Sequence, residues 1–144
     1  MRKFDLLFVP INLTCCFLTE TMVAESTTKC PISHFGFDYY DFVNPVNHSG
    51  GLWVLWNNTN IIANVLLKEQ CFIHMLVLDV KTQQLSTISS VYTSIKPSEK
   101  SFFWNHLSEL NNIIDTPWCI IGDFNELEDR ADRGGETNFP LTMY

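Results

Sequence analysis

Apolar and polar positions along the chain fall into strand-length blocks and one clear helical stretch. Residues 4–9 and 15–18 are short apolar runs parted by Pro10 and Asn12, and they read as a pair of buried strands; the second stops at Thr19-Glu20-Thr21. A polar segment to about Ser33 reads as a loop with a short helix. Residues 37–43 alternate and are rich in aromatics. After the turn signals Asn44-Pro45 and Ser49-Gly50-Gly51, residues 52–56 read as their hairpin partner. Between residues 61 and 92 the β-branched and aromatic content stays high, and polar breaks at 68–70 and 81–84 divide it into strands near 61–67, 71–80 and 85–92. The spacing of Phe103, Leu107, Leu110 and Ile114 predicts a helix over 98–114, with Ser98 as N-cap, Glu99 in the first turn and Pro117 barring continuation. Residues 118–121 are apolar on both faces, the pattern of a central buried strand, and Gly122 then releases the chain into Asp123-Phe124-Asn125.

Composition narrows the class. The chain has 144 residues, 46% of them hydrophobic and 13% aromatic, which suits one domain with a packed core and excludes disorder as a description of the whole. Its formal charge of −7 is opposite in sign to that of a protein that grips polyanions by surface charge alone. Between Asp123 and Glu136 six acids face two bases, so this segment alone holds four of the seven net negative charges; taken without context it is a solvated loop. Five Cys, without a CxxC pair or a His at zinc spacing, point away from a disulfide framework and a structural zinc site and toward a reducing compartment. Cys15, Cys16, Cys71 and Cys119 sit in apolar runs, where Cys acts as a small buried hydrophobe. The N-terminal run carries Asp5 and Pro10 and lacks a small-x-small cleavage site, so no signal peptide is expected. No run reaches the roughly 18 apolar residues of a membrane span, and the expected location is inside the cell, the nucleus included. Sequons at Asn12, Asn47 and Asn57 leave a small secreted glycoprotein as a third, weaker reading.

Two places share one design, an apolar strand that ends by delivering a carboxylate: Glu20 after residues 15–18, and Asp123 after residues 118–121. Magnesium is commonly held by one or two carboxylates and keeps several waters, so such a pair suffices for a phosphodiester-cleaving site. Acids at strand ends are also ordinary solvated termini, and the pair alone does not choose.

The surrounding residues add a resemblance. Pro117-Trp118-Cys119-Ile120-Ile121-Gly122-Asp123-Phe124-Asn125-Glu126, preceded by Phe103-Trp104 and by Val91-Tyr92, resembles the endonuclease/exonuclease/phosphatase superfamily, and within it the endonuclease domain of plant LINE-type retrotransposons. Glu20-Thr21 looks like that family's Glu-Thr element, residues 49–56 look like its Gly-Gly strand, and Gly134-Gly135 fits a landmark of the plant branch. The order holds from about Phe4 to Gly135, so residues 1–144 are expected to be one partial domain. The resemblance implies an α+β fold, a four-layer DNase I-like sandwich of two packed β-sheets flanked by helices. It implies metal-dependent hydrolysis of DNA phosphodiesters, with magnesium, or manganese in its place, as cofactor and DNA as partner. It also assigns roles: Glu20 as metal ligand, Tyr92 touching the scissile phosphate, Asp123 aligning or deprotonating the attacking water, and Asn125 hydrogen-bonding the phosphate. His34, His48, His74 and His106 match no part of the pattern and read as surface or packing residues.

The family's pattern also opens with an Asn-bearing strand and closes with an Asp and a Ser-Asp-His element, and neither is found in these residues. The expectation is a domain incomplete at both ends, with about half of the catalytic constellation and little or no nuclease activity alone. The alternative is a non-catalytic interaction protein, or an inert relic, that keeps the sheet scaffold; the acidic balance favours a protein partner for it over naked DNA.

Overall fold

A computed structural model describes residues 14–23, 35–46, 50–93 and 97–125. Its strands are β1 (Cys15–Thr19), β2 (Tyr39–Val43), β3 (Leu52–Trp56), β4 (Ile61–Glu69), β5 (Phe72–Asp79), β6 (Leu85–Tyr92) and β7 (Trp118–Asp123), with helix α1 (Pro97–Asn111) between β6 and β7. The first sheet has the order β1-β3-β2 and is antiparallel throughout. The second has the order β4-β5-β6-β7, antiparallel except for the β6–β7 pair, which is parallel because α1 carries the chain back across the sheet.

Every residue of β3 is buried, because this strand is central in its sheet and both faces of that sheet are covered. Leu52, Val54 and Trp56 point between the sheets and pack with Ile73, Met75 and Val77 of β5, while Phe17, Val43, Ile88 and Tyr92 close the same core. Trp53 and Leu55 point the other way, under Cys16, Leu18, Phe35, Phe37 and Phe42. On the outer face of the second sheet, Phe103 and Leu107 of α1 seat on Phe72 and Val91, as their helical spacing predicts. Lys68 of β4 and Asp41 of β2 form a 2.5 Å ion pair that links the two sheets at an exposed edge, a contact worth at most about 1 kcal/mol.

The elements expected from sequence at residues 15–18, 37–43, 52–56, 61–67, 71–80 and 85–92 are present, with ends that differ by up to two residues. The helix closes at Asn111 instead of Ile114; Ile113 and Ile114 both donate to the Leu110 carbonyl in a loose final turn. The strand expected at residues 4–9 and the loop to Ser33 lie largely outside the described residues, as do His34, His48 and Gly134-Gly135. One expectation is corrected. Among the described residues β7 is not a central strand but the last of its sheet: Trp118 and Ile120 pack toward α1, whereas Cys119 and Ile121 are exposed. An apolar pattern on both faces cannot tell two covered faces from one.

His74 and His106 are packing residues, as expected. The His106 ring stacks on Phe72 at 4.2 Å, and His74, buried beneath it, shares a 2.5 Å hydrogen bond with the Ser89 hydroxyl, which also accepts from Trp118 Nε1 at 2.7 Å. Burial and the neighbouring His106 push the His74 imidazole down from 6.5 to about 4. Between those two values the unfolded chain holds the extra proton, so stability is complete above about pH 6.5 and is lost as pH falls toward 4. The urea midpoint is therefore expected to drop across that window by an equivalent on the order of 2 kcal/mol, and His74→Gln should flatten the drop. An unchanged pH profile in the variant would contradict this account.

Candidate active site at the strand ends

The carboxyl ends of β1, β6 and β7 bring the sequence-predicted residues together. Glu20 follows β1, Tyr92 ends β6 and Asp123 ends β7, and in the parallel β6–β7 register Tyr92 lies beside Asp123. The Tyr92 hydroxyl donates to Glu20 Oε1 at 2.7 Å, a contact between residues of different sheets and 72 positions apart in the chain. Two residues beyond β7, Asn125 turns back: its backbone N–H donates to Asp123 Oδ1 at 2.8 Å. The four residues named from the sequence thus form one linked group.

Two of the described non-glycine residues with positive φ, Glu20 at +52° and Asn125 at +48°, belong to this group; the left-handed region costs a residue such as Glu about 1 kcal/mol or more, while Asn tolerates it. The Gly50-Gly51 pair holds the first of these turns. Gly50 accepts from Met22 N–H at 3.1 Å and Gly51 from Thr21 N–H at 3.4 Å, so the segment after Glu20 is tied to the backbone leading into β3. A Cβ at Gly51 would lie 2.5 Å from Thr21 Oγ1, and one at Gly50 3.3 Å from the Tyr92 ring. Glycine suits both positions because each has positive φ and because Thr21 and the Tyr92 ring stand close to this backbone.

Two further residues were not foreseen from sequence. Thr93, directly after Tyr92, and Lys100, in the first turn of α1, both bind the Asn125 loop. Lys100 Nζ donates to the Asn125 carbonyl at 2.7 Å and brings a positive charge toward a group that otherwise carries two carboxylates. No motif marks either position; continuing the β6 ladder one residue past Tyr92 was the only available clue to Thr93.

No family model matches the sequence, and no curated protein does. Solved structures do match. The human Nocturnin catalytic domain with bound sulfate anion superposes with a TM-score of 0.54 at 14% identity, over 78% of this chain and 52% of its own. A D. rerio TDP2 humanized by 14 mutations superposes with a TM-score of 0.50 at 11% identity, over 85% of this chain and 57% of its own. The fold is the DNase I-like sandwich. Identities this low establish the architecture alone, and the chain spans about half the length of each of these two structures. Within this DNase I-like frame the α+β class expected from sequence is the one observed. Among the described residues no helix is long and apolar enough to cross a membrane.

The donor set can be tested for a metal. Among the described residues no three His, Cys, Asp or Glu side chains gather, so a zinc site of three or four protein ligands is not built there. Glu20 is exposed, and Tyr92 is its carboxylate's partner through Oε1. One or two carboxylates open to water are what a hydrated magnesium ion takes, so the residues present fit that ion.

Proposed function

We propose that this chain is part of a magnesium-dependent phosphodiesterase, a DNA endonuclease of the endonuclease/exonuclease/phosphatase superfamily and of retroelement origin, with little activity on its own. The observation that carries the reading is the Tyr92–Glu20 hydrogen bond across the two sheets, with Asp123 beside Tyr92 in register. It joins the residues assigned to metal, phosphate and water in one place.

Glu20 would hold magnesium, which when bound neutralises charge developing on phosphoryl oxygens. Asp123 Oδ1 is occupied by the Asn125 amide, which leaves Oδ2 to orient or deprotonate an attacking water in line with the scissile bond. Asn125 donates one carboxamide proton to the Thr93 carbonyl and keeps its second for a phosphate oxygen. Tyr92 has a single hydroxyl proton, here on Glu20, so donation to a phosphate requires that bond to open. The sulfate bound by the Nocturnin catalytic domain supports the idea that this fold can hold a tetrahedral anion.

The test is nicking of supercoiled plasmid by the purified chain, with magnesium and with EDTA, beside Asp123→Ala. Weak nicking that needs magnesium and disappears in the variant is expected. Robust cleavage would overturn the expectation of little activity, and nicking indifferent to Asp123→Ala would overturn the site. A second reading, a non-catalytic interaction protein on the same scaffold, is favoured by the exposed Ile62 and Leu66 on edge strand β4 and by the net charge of −7. It predicts saturable binding of a protein partner that Asp123→Ala leaves unchanged.

A further inference from the structure

Thr93 is fully buried and touches three successive residues of the β7 exit. Its backbone N–H donates to the Asp123 carbonyl at 2.9 Å. Its hydroxyl donates to the Phe124 carbonyl. Its own carbonyl accepts from Asn125 Nδ2 at 2.6 Å. From the opposite side the Lys100 ammonium donates to the Asn125 carbonyl.

We propose that Thr93 is the positioning residue of this site, with Lys100 as its second anchor: together they fix the orientation of the Asn125 carboxamide before any ligand arrives. The chemistry is directional. A carbonyl only accepts, so the NH2 end of Asn125 must face Thr93, and this decides which way the amide is turned and which proton and oxygen remain for a ligand. The hydroxyl matters because it is the donor to the half-buried Phe124 carbonyl, and without it the turn that leads into Asn125 loses one of its ties to β6. Lys100 removes the remaining freedom by binding the far end of the same residue. A catalytic carboxamide held this way pays no ordering cost when the phosphate binds. The inference deepens the phosphodiesterase reading and rests on it for the role given to Asn125, while the anchoring itself does not depend on cleavage.

The test is amide hydrogen exchange and the side-chain NH2 signals of Asn125 in the full 15N-labelled chain, for wild type, Thr93→Val, Thr93→Ser and Lys100→Met. In wild type and Thr93→Ser the two Asn125 carboxamide protons should be resolved from bulk and the backbone amide protected. In Thr93→Val that exchange should quicken at least tenfold while β4, β5 and β6 keep their protection. If Thr93→Val fails to fold, Lys100→Met carries the test, since it removes only the outer anchor and should quicken exchange at Asn125 alone. Retained protection in Thr93→Val, an equal loss in Thr93→Ser, or no change in Lys100→Met would overturn the proposal. Where nicking is measurable, Thr93→Val should lower kcat about tenfold with KM unchanged, and Thr93→Ser should restore it. Well-held Asn125 in a chain that neither binds magnesium nor cuts would sink the phosphodiesterase reading and leave the anchoring intact.

Discussion

Gly122→Ala is expected to remove the cooperative unfolding transition of this chain. Gly122 is exposed, so burial gives no warning, but its φ is +148°, and a Cβ there would stand 1.9 Å from the Val91 carbonyl oxygen and 2.8 and 2.9 Å from the carbonyl carbon and nitrogen of the same residue. All three atoms are backbone of β6, opposite Gly122 in the parallel register. No side-chain rotation relieves such a contact. β7 would have to leave β6, breaking the Thr93–Asp123 ladder bond and uncovering Phe72, Val91 and Phe103 beneath the Trp118 and Ile120 side chains. The cost should exceed about 4 kcal/mol, a large part of the roughly 5–15 kcal/mol that holds an ordinary domain together. Thermal and urea unfolding followed by circular dichroism checks this. A variant melting within a few degrees of the parent would mean that β6 and β7 are not paired as described.

Glu20→Gln separates charge from shape. The amide is the same size, its oxygen still accepts from Tyr92, and the turn at Glu20 is exposed, so stability should change by no more than about 0.5 kcal/mol. What disappears is the full negative charge that a hard divalent cation requires. Magnesium affinity is expected to fall at least tenfold, and any magnesium-dependent nicking should fall at least a hundredfold because the transition-state charge loses its counter-ion. Calorimetric titration with magnesium and the plasmid assay measure the two losses separately. Equal affinity in variant and parent would remove Glu20 from the metal.

The sheet elements were legible because strands in this chain are bounded by turn residues and because α1 shows one helical face, with Phe103 and Leu107 falling where the spacing puts them. The sequence could not say which strands are central. β3 and residues 118–121 look equally apolar, yet β3 lies between two neighbours and is buried throughout, while β7 pairs, among the described residues, with β6 alone and leaves Cys119 and Ile121 exposed. Local pattern records hydrophobicity, and burial depends on what lies across the face. The site was legible as types of residue at strand ends, and the two-sheet frame brings Glu20, Tyr92, Asp123 and Asn125 together as a linked group. Thr93 and Lys100 stayed hidden because their work is done through backbone carbonyls, which leave no mark on composition or spacing. Of the four Cys expected to be buried hydrophobes, Cys15, Cys16 and Cys71 are half-buried and Cys119, on the uncovered face of β7, is exposed; partial burial still pushes the Cys15 thiol up to about 11, in keeping with an unreactive role.

The proposed function stands on a divalent cation held by Glu20 at the strand ends. It is tested most directly by adding trace manganese to the 15N-labelled chain in place of magnesium and reading which amides broaden. The account predicts that Glu20, Thr21, Tyr92 and Asp123 broaden first, that excess magnesium reverses the effect, and that Glu20→Gln abolishes it. Broadening centred elsewhere, for instance on the exposed Asp79 turn between β5 and β6, or unchanged broadening in Glu20→Gln, would contradict it.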